Sequence, residues 1–183
     1  MLSNAGVVVT TDAANVDEDE VKRAMRADGA GVDATAEMLA EVKAIRVSWR
    51  HPGALVIGAD QMLECDGVSF DKPRDQDEAA TRLRALSGRT HRLVSAVVVA
   101  RDGQRLWHDV DTARLTMRAL SEPFIAAYLA ALGDDALSSV GSYQLEGLGA
   151  QLFTRVEGDF FTVLGMPLLP LLGFLRAHDV VPA

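Results

Sequence analysis

Apolar positions along this chain switch between a helical and an extended spacing. Over residues 34–49, Met38, Leu39, Val42, Ile45 and Val47 recur near helical spacing, and Thr35 is a plausible start. Pro52-Gly53 breaks that pattern. The run ALVIGAD, residues 54–60, is continuously apolar and ends in an acid, which suits a strand buried on both faces. Asp66-Gly67 and Lys72-Pro73 mark two further breaks. Then comes the clearest helix: Asp75 as its cap, Glu78 at the capping-box position, a stripe of Ala79, Ala80, Leu83 and Leu86, and Gly88 as its stop. Residues 93–100 read as a Val-rich strand, and Asp102-Gly103 as the turn into a second strand from Arg105 to Thr112 or beyond. Ser121 and Pro123 open a helix that stops at Gly133. Residues 141–149 form a Gly-rich polar loop, 151–156 and 160–164 read as a hairpin around Gly158, and 170–178 as a last helix. Strands and helices in this order predict an α/β fold.

Composition narrows the function. The chain has 183 residues, 49% hydrophobic and 24% charged, as in a soluble globular protein of one domain. A net charge of −8 argues against a nucleic-acid polymer or an acidic membrane surface as partner. An anionic substrate would need a locally basic pocket or a metal ion. A single cysteine excludes an internal disulfide and fits a reducing compartment. The N-terminus has no basic export signal, and the longest uncharged apolar stretch, residues 162–175, is short for a membrane span and holds Pro167 and Pro170. It reads as core, and the expected location is the cytoplasm.

Most familiar nucleotide motifs fail. There is no GxxxxGK[ST] loop. Gly29-Ala30-Gly31 with Ala34 matches GxGxxA but follows a polar helical stretch rather than a strand. His51, His91, His108 and His178 show no metal-ligand spacing, and Cys65 has no base nearby in sequence. Asp60 is more informative, because α/β folds place their sites at the carboxyl ends of strands. Lys72 follows just before Pro73, Lys43 lies beside a helical stripe, and Glu146 sits in a loop short of side chains. On spacing alone, a solvated lysine and a surface acid remain the plainer readings of Lys43 and Glu146. The acidic run from Asp17 to Glu20 reads as a solvated helix start.

Together these residues resemble a known family. The stretch IGADQMLECDGVSFDKPRDQDEAATRLRALSGRTHRLVSAVVV is similar to the core of the Maf (septum-formation-inhibitor-like) nucleotide pyrophosphatases, which read hydrophobic-Gly-Ala/Ser-Asp-Thr/Gln, then Lys-Pro, an acidic helix and Leu-Ser-Gly-Arg-x-His. VGSYQLEGLGAQLFTRVEGDFFTVLGMPL, AEMLAEVKA and NVDEDE resemble further family segments in the same order. The resemblance implies one α/β domain with an elongated mixed sheet and two lobes around a cleft. It implies hydrolysis of a nucleoside triphosphate to the monophosphate and pyrophosphate with Mg²⁺ or Mn²⁺, usually by a homodimer. Carried over by position, Asp60 matches the proton acceptor, Lys43 and Lys72 the lysines near the phosphates, and Glu18 a carboxylate near the metal, which Asp60 also reaches. Gln61 and Glu146 stand where the pyrimidine-hydrolysing branch has Thr and Gln, and they resemble the 7-methyl-GTP branch. The family's N-terminal Ser-x-x-Arg phosphate-binding turn has no counterpart, and MLSNAG resembles the end of the helix after it, as in an N-terminally truncated chain. An alternative is therefore a nucleotide-binding or regulatory protein that lacks catalysis.

Overall fold

The computed structural model describes residues 1–182. Its helices are α1 (Glu18–Ala27), α2 (Val32–Ser48), α3 (Gln76–Leu86), α4 (Glu122–Leu132), α5 (Phe160–Val163) and α6 (Leu168–Ala177). Its strands are β1 (Val56–Cys65), β2 (Val68–Phe70), β3 (Thr90–Arg101), β4 (Gln104–Met117) and β5 (Phe153–Glu157), in one sheet of order β2-β1-β3-β4-β5. β1 pairs antiparallel with β2, and β4 with β5. β3 and β4 are joined by Asp102 and Gly103, both at positive φ, the left-handed geometry that a two-residue hairpin turn needs. The contacts Gln61–Ser95, Glu64–Arg92 and Cys65–Thr90 make β3 descend as β1 ascends. The α/β class with flanking helices is as expected. The pairing is antiparallel where the resemblance implied a mixed sheet, because β2 and α3 return the chain to β3 from the end at which β1 leaves it. No helix among the described residues is long and apolar enough to cross a membrane.

The chain divides into two compact units, described separately. One comprises Met1–Gln61, Val94–Asp111 and Asp159–Ala183. Part of its core gathers Val7, Val97, Val99, Leu171, Phe174 and Leu175. In α2 the buried apolar residues are Ala36, Leu39, Ala40, Ala44 and Val47, while Met38, expected in the core, is 38% exposed. The cause is Gly58. A Cβ there would lie 2.3 Å from the Ala40 carbonyl oxygen and 2.7 Å from the Ala44 nitrogen. The backbones of α2 and β1 touch directly, so small residues one helical turn apart face the strand and larger ones turn away. α2 is also tied at its sides: Arg105 of β4 donates to Glu37 and Glu41, at 2.7 and 2.8 Å, and Gly103 N donates to the Ser48 hydroxyl at 2.9 Å. Overpacking a core typically costs about 1–3 kcal/mol. The contacts at Gly58 are with backbone atoms that move only with the helix. Gly58→Ala is therefore expected near the upper end of that range, with activity lowered as well; a thermal melt and a turnover assay check both.

Residues 54–60 form a strand only from Val56, and Leu55, Val56 and Ile57 are half-buried rather than covered on both faces. Residues 160–164 do not form the second arm of a hairpin. Phe160–Val163 is a short helix whose N-cap, Asp159, accepts from the backbone nitrogens of Phe161 and Thr162 at 2.9 and 3.3 Å. Gly158, at φ +119°, ends β5 against Ala113, and the cap turns the chain into a helix before a strand can form. The last helix begins at Leu168, so Pro170 lies in its first turn, where the missing N–H is no loss. Gly29 ends α1 at positive φ and Gly31 caps α2, so GxGxxA is a helix–helix turn.

The other unit comprises Met62–Leu93 and Thr112–Gly158. Asp75 caps α3 by accepting from Glu78 N at 2.8 Å, and Ser121 and Gly133 bound α4 as expected. Glu78 reaches back to Arg74 N at 2.9 Å, one residue before the usual capping-box partner. Two titratable groups of this unit lie deep in its core, His91, 1% exposed, and Tyr143, 6% exposed. Burial pushes the His91 pKa down to about 4. Between there and the ordinary value near 6.5, the unfolded chain takes up a proton that the folded one refuses. Stability contributed by neutral His91 is whole above about pH 6.5 and lost by about pH 4, on the order of 3 kcal/mol. In denaturant melts over that window, wild type should lose about that much stability relative to His91→Gln, whose side chain does not titrate there, as the pH falls.

Candidate active site

Gly58 and Asp60 are two residues apart on β1 and so face the same side, toward α2. The close α2–β1 approach brings Lys43 over Asp60, and Lys43 Nζ donates to Asp60 Oδ1 at 2.6 Å. The same ammonium lies 2.6 Å from Glu18 Oε1. Glu18 opens α1, whose N-cap, Asp17, accepts from Glu20 N at 2.9 Å. The acidic run is thus a capped helix start, as expected, but Glu18 is also part of an ion cluster. Lys22, one turn along α1, extends it at 3.8 Å from Glu18 Oε2. In the sequence, only its i,i+4 spacing from Glu18 marks Lys22.

The Asp60 side chain is 9% exposed, that of Lys43 22% and that of Glu18 42%. Burial raises the Asp60 carboxyl above its ordinary range, and the charge of Lys43 opposes that rise without cancelling it. For Lys43, burial disfavours the charge, but Asp60 and Glu18 together outweigh it and hold the ammonium above its usual pKa. The result is a firmly protonated lysine beside a carboxylate that binds a proton more readily than a surface aspartate does.

A pocket of about 610 Å³ opens beside this cluster, with Thr10, Asp12, Glu18, Lys43, Ile57 and Met166 in its walls. Asp60 lies outside the lining and meets it through Lys43. One wall is pinned by Asp12, whose Oδ2 is 2.8 Å from His51 Nε2 and 3.2 Å from Arg50 Nη2. Arg50 also donates to the Ala13 oxygen at 2.6 Å. The His51 hydrogen bond lowers the Asp12 pKa, against burial and with help from Arg50. No sequence signal pointed to this clasp.

Gln61, next in the strand, faces the opposite side. Its Nε2 lies 2.9 Å from Ser95 Oγ, 3.0 Å from the Thr162 oxygen and 3.1 Å from the Val163 oxygen. Two of these are carbonyls, which only accept, so the amide nitrogen must point inward and Oε1 is the end that Gln61 can present. Ser95 Oγ donates to the Thr162 oxygen at 2.7 Å, and Thr162 Oγ1 donates to Asp111 Oδ2 at 2.6 Å, which fixes the surroundings. Of the expected site residues, the structure therefore brings Glu18, Lys43 and Asp60 together and gives Gln61 a separate set of partners. Lys72 and Glu146 belong to the other unit, and both are exposed. Lys72 precedes buried Pro73, and Glu146 lies in the loop that follows Tyr143.

For a divalent metal, the available donors near this cluster are carboxylates. No group of three or more His, Cys, Asp or Glu gathers among the described residues. Glu18 and Asp60 converge on the Lys43 ammonium, and carboxylates are the donor type that Mg²⁺ or Mn²⁺ takes, one or two of them beside substrate phosphates and several waters.

Comparison with known proteins gives this arrangement a context. A family model described as Maf-like protein matches residues 1–178. A protein of Paramagnetospirillum magneticum named nucleoside triphosphate pyrophosphatase is 58% identical over 183 residues, all of this chain and 94% of that protein. One of Granulibacter bethesdensis with the same name is 54% identical over 181 residues, 99% of this chain and 92% of that protein. A Brucella abortus protein named 7-methyl-GTP pyrophosphatase is 50% identical over 181 residues, 99% of this chain and 91% of that protein. With a family match across nearly the whole chain and relatives at this level of identity, the chain belongs to the Maf-like protein family.

Proposed function

We propose that this Maf-like protein is a hydrolase that splits a nucleoside triphosphate between its α- and β-phosphates, releasing the monophosphate and pyrophosphate, with 7-methyl-GTP as the preferred substrate. The observation that carries the reading is Lys43, held between Asp60 and Glu18 in the wall of a pocket large enough for a small ligand. The names of its relatives support the same activity.

Asp60 accepts the proton of the attacking water, a role suited to a buried carboxylate of raised proton affinity. Of the three N–H donors of Lys43, two are directed at Asp60 and Glu18, which leaves a third for a phosphate oxygen. As charge grows on the pyrophosphate leaving group, that donor strengthens its hold. Glu18 and Asp60 would hold Mg²⁺ or Mn²⁺, which when bound neutralises phosphate charge that a net-acidic protein would otherwise repel. Lys72 as a second phosphate ligand, and Gln61 and Glu146 as selectors of the base, enter through their motif positions. For Gln61, the fixed amide narrows the role to that of an acceptor. A cytoplasmic homodimer is proposed on the resemblance.

A guanine edge offers two donors, the ring N1–H and the exocyclic amine. The Glu146 carboxylate accepts both, whereas Gln would set its own amide donor against one of them. Methylation at N7 makes the purine cationic, and a carboxylate then gains a charge-assisted contact. A hydrogen bond to a charged group is worth about 1.5–3 kcal/mol, so Glu146→Gln should erode the preference for 7-methyl-GTP over dTTP by roughly 10–100-fold. The test is pyrophosphate release from 7-methyl-GTP, dTTP and UTP with Mn²⁺ present. If wild type prefers dTTP, the base assignment is wrong.

A further inference from the structure

The loop of residues 139–149, which carries Glu146, is built around Tyr143. The Tyr143 ring meets Phe153 edge-on, with centroids 4.8 Å apart. Its backbone is clamped by one side chain: Ser139 Oγ donates to the Tyr143 oxygen at 2.9 Å and accepts from Tyr143 N at 3.0 Å. Two glycines of the loop are required by the same packing. A Cβ on Gly141 would lie 2.2 Å from the Tyr143 ring, and one on Gly149 would lie 2.4 Å from the Gln144 oxygen. Ser142 adopts φ +58°, a conformation a serine rarely takes unless its surroundings impose it. The loop backbone is also held by Tyr128, which donates to the Ser142 oxygen at 3.3 Å, and by Arg82, which donates to the Val140 oxygen at 2.6 Å.

The Tyr143 side chain is tied to the sheet through one polar contact. Its hydroxyl lies 2.6 Å from Nε2 of His91, on β3. His91 is 1% exposed, and its Nδ1 has no hydrogen-bond partner among the described residues. An imidazole buried with half of its hydrogen-bonding capacity unmet is a poor choice for packing, since an apolar side chain there would avoid that desolvation. What an apolar residue could not do is hold the Tyr143 hydroxyl.

We propose that His91 is a positioning residue for nucleotide selection: acting through the Tyr143 hydroxyl, it fixes the 139–149 loop in the one backbone arrangement that presents Glu146 to the base. The proposal rests on the reading of Glu146 as base selector. It assigns work to the His of the Leu-Ser-Gly-Arg-x-His segment and to the Tyr of the Gly-rich segment, neither of which the mechanism above uses.

The experiment compares wild type, Tyr143→Phe, His91→Leu and His91→Gln, with Glu146→Gln alone and combined with Tyr143→Phe. Two readouts are taken: KM and kcat for pyrophosphate release from 7-methyl-GTP and dTTP, and amide hydrogen exchange over residues 139–149, with α3 amides as the control for folding. Tyr143→Phe keeps the ring and removes only the hydroxyl. It and His91→Leu are expected to raise KM for 7-methyl-GTP about five- to tenfold with kcat within about twofold. They should narrow the 7-methyl-GTP to dTTP ratio and speed exchange in the loop while α3 stays protected. His91→Gln, which can still bond the hydroxyl, should restore much of both. In the combined variant, Tyr143→Phe should add no narrowing beyond that of Glu146→Gln. If Glu146→Gln alters selectivity while Tyr143→Phe leaves both KM and loop exchange unchanged, the inference fails and the base reading stands. If Glu146→Gln is silent, the base reading fails, and a silent response of selectivity to Tyr143→Phe overturns the inference with it. A selectivity change in Tyr143→Phe without one in Glu146→Gln would mean that the loop acts through a residue other than Glu146, and the inference as stated fails.

Discussion

Asp60→Asn is expected to lower the rate of pyrophosphate release by about 10²–10⁴-fold, the range typical for loss of a general base. The substitution keeps the shape of the side chain and its hydrogen bond to Lys43, and removes the basicity. It also removes a charge that burial disfavours, and Lys43 keeps Glu18 as counter-ion, so the melting temperature should stay close to that of wild type. Kinetics and a thermal melt on the same preparation separate the two effects. An Asn variant that turns over at close to the parental rate would mean that Asp60 is not the base.

Lys43→Met should fail differently. Methionine has nearly the reach of lysine and none of its charge. Without the ammonium, Asp60 is left 9% exposed with no direct cation, and Glu18 faces it as a like charge. Removing one partner of a buried pair costs about 3–5 kcal/mol; the partial exposure of this site places the loss near the lower figure. The variant should melt well below wild type, whereas Asp60→Asn should not. Its activity should drop in both parameters, because the lost donor serves the bound triphosphate and the leaving group alike. We expect kcat/KM to fall by roughly 10²–10³-fold, in keeping with the loss of a preorganised donor to developing charge. Equal losses of stability in the two variants would contradict the asymmetric burial that the cluster depends on.

Much of this was readable in the chain before its structure. Asp75, Ser121 and the Asp102-Gly103 turn are local devices whose chemistry is complete within a few residues, and each is found as expected. Asp60, Lys43 and Glu18 lie far apart in sequence and were legible only through the order of their motifs, yet they meet at one ammonium. What escaped depends on contacts between distant segments. The run FFTVL has the composition of a strand, and its helix follows from the Asp159 cap and from Gly158 meeting Ala113. Hydrophobicity placed Met38 in the core of α2, but the helix is oriented by the fit of Ala40 and Ala44 to Gly58, which an apolar stripe does not register. Gln61 directly follows Asp60 in the IGADQ motif, but strand alternation turns it to other partners.

In the proposed reaction, water activated by Asp60 attacks the α-phosphorus and expels pyrophosphate. Attack at the β-phosphorus would yield the same two products, so product identity alone does not decide. Hydrolysis in water labelled with heavy oxygen, followed by mass analysis of both products, does. The label is expected in the nucleoside monophosphate, with none in the pyrophosphate. Label in the pyrophosphate would contradict attack at the α-phosphorus.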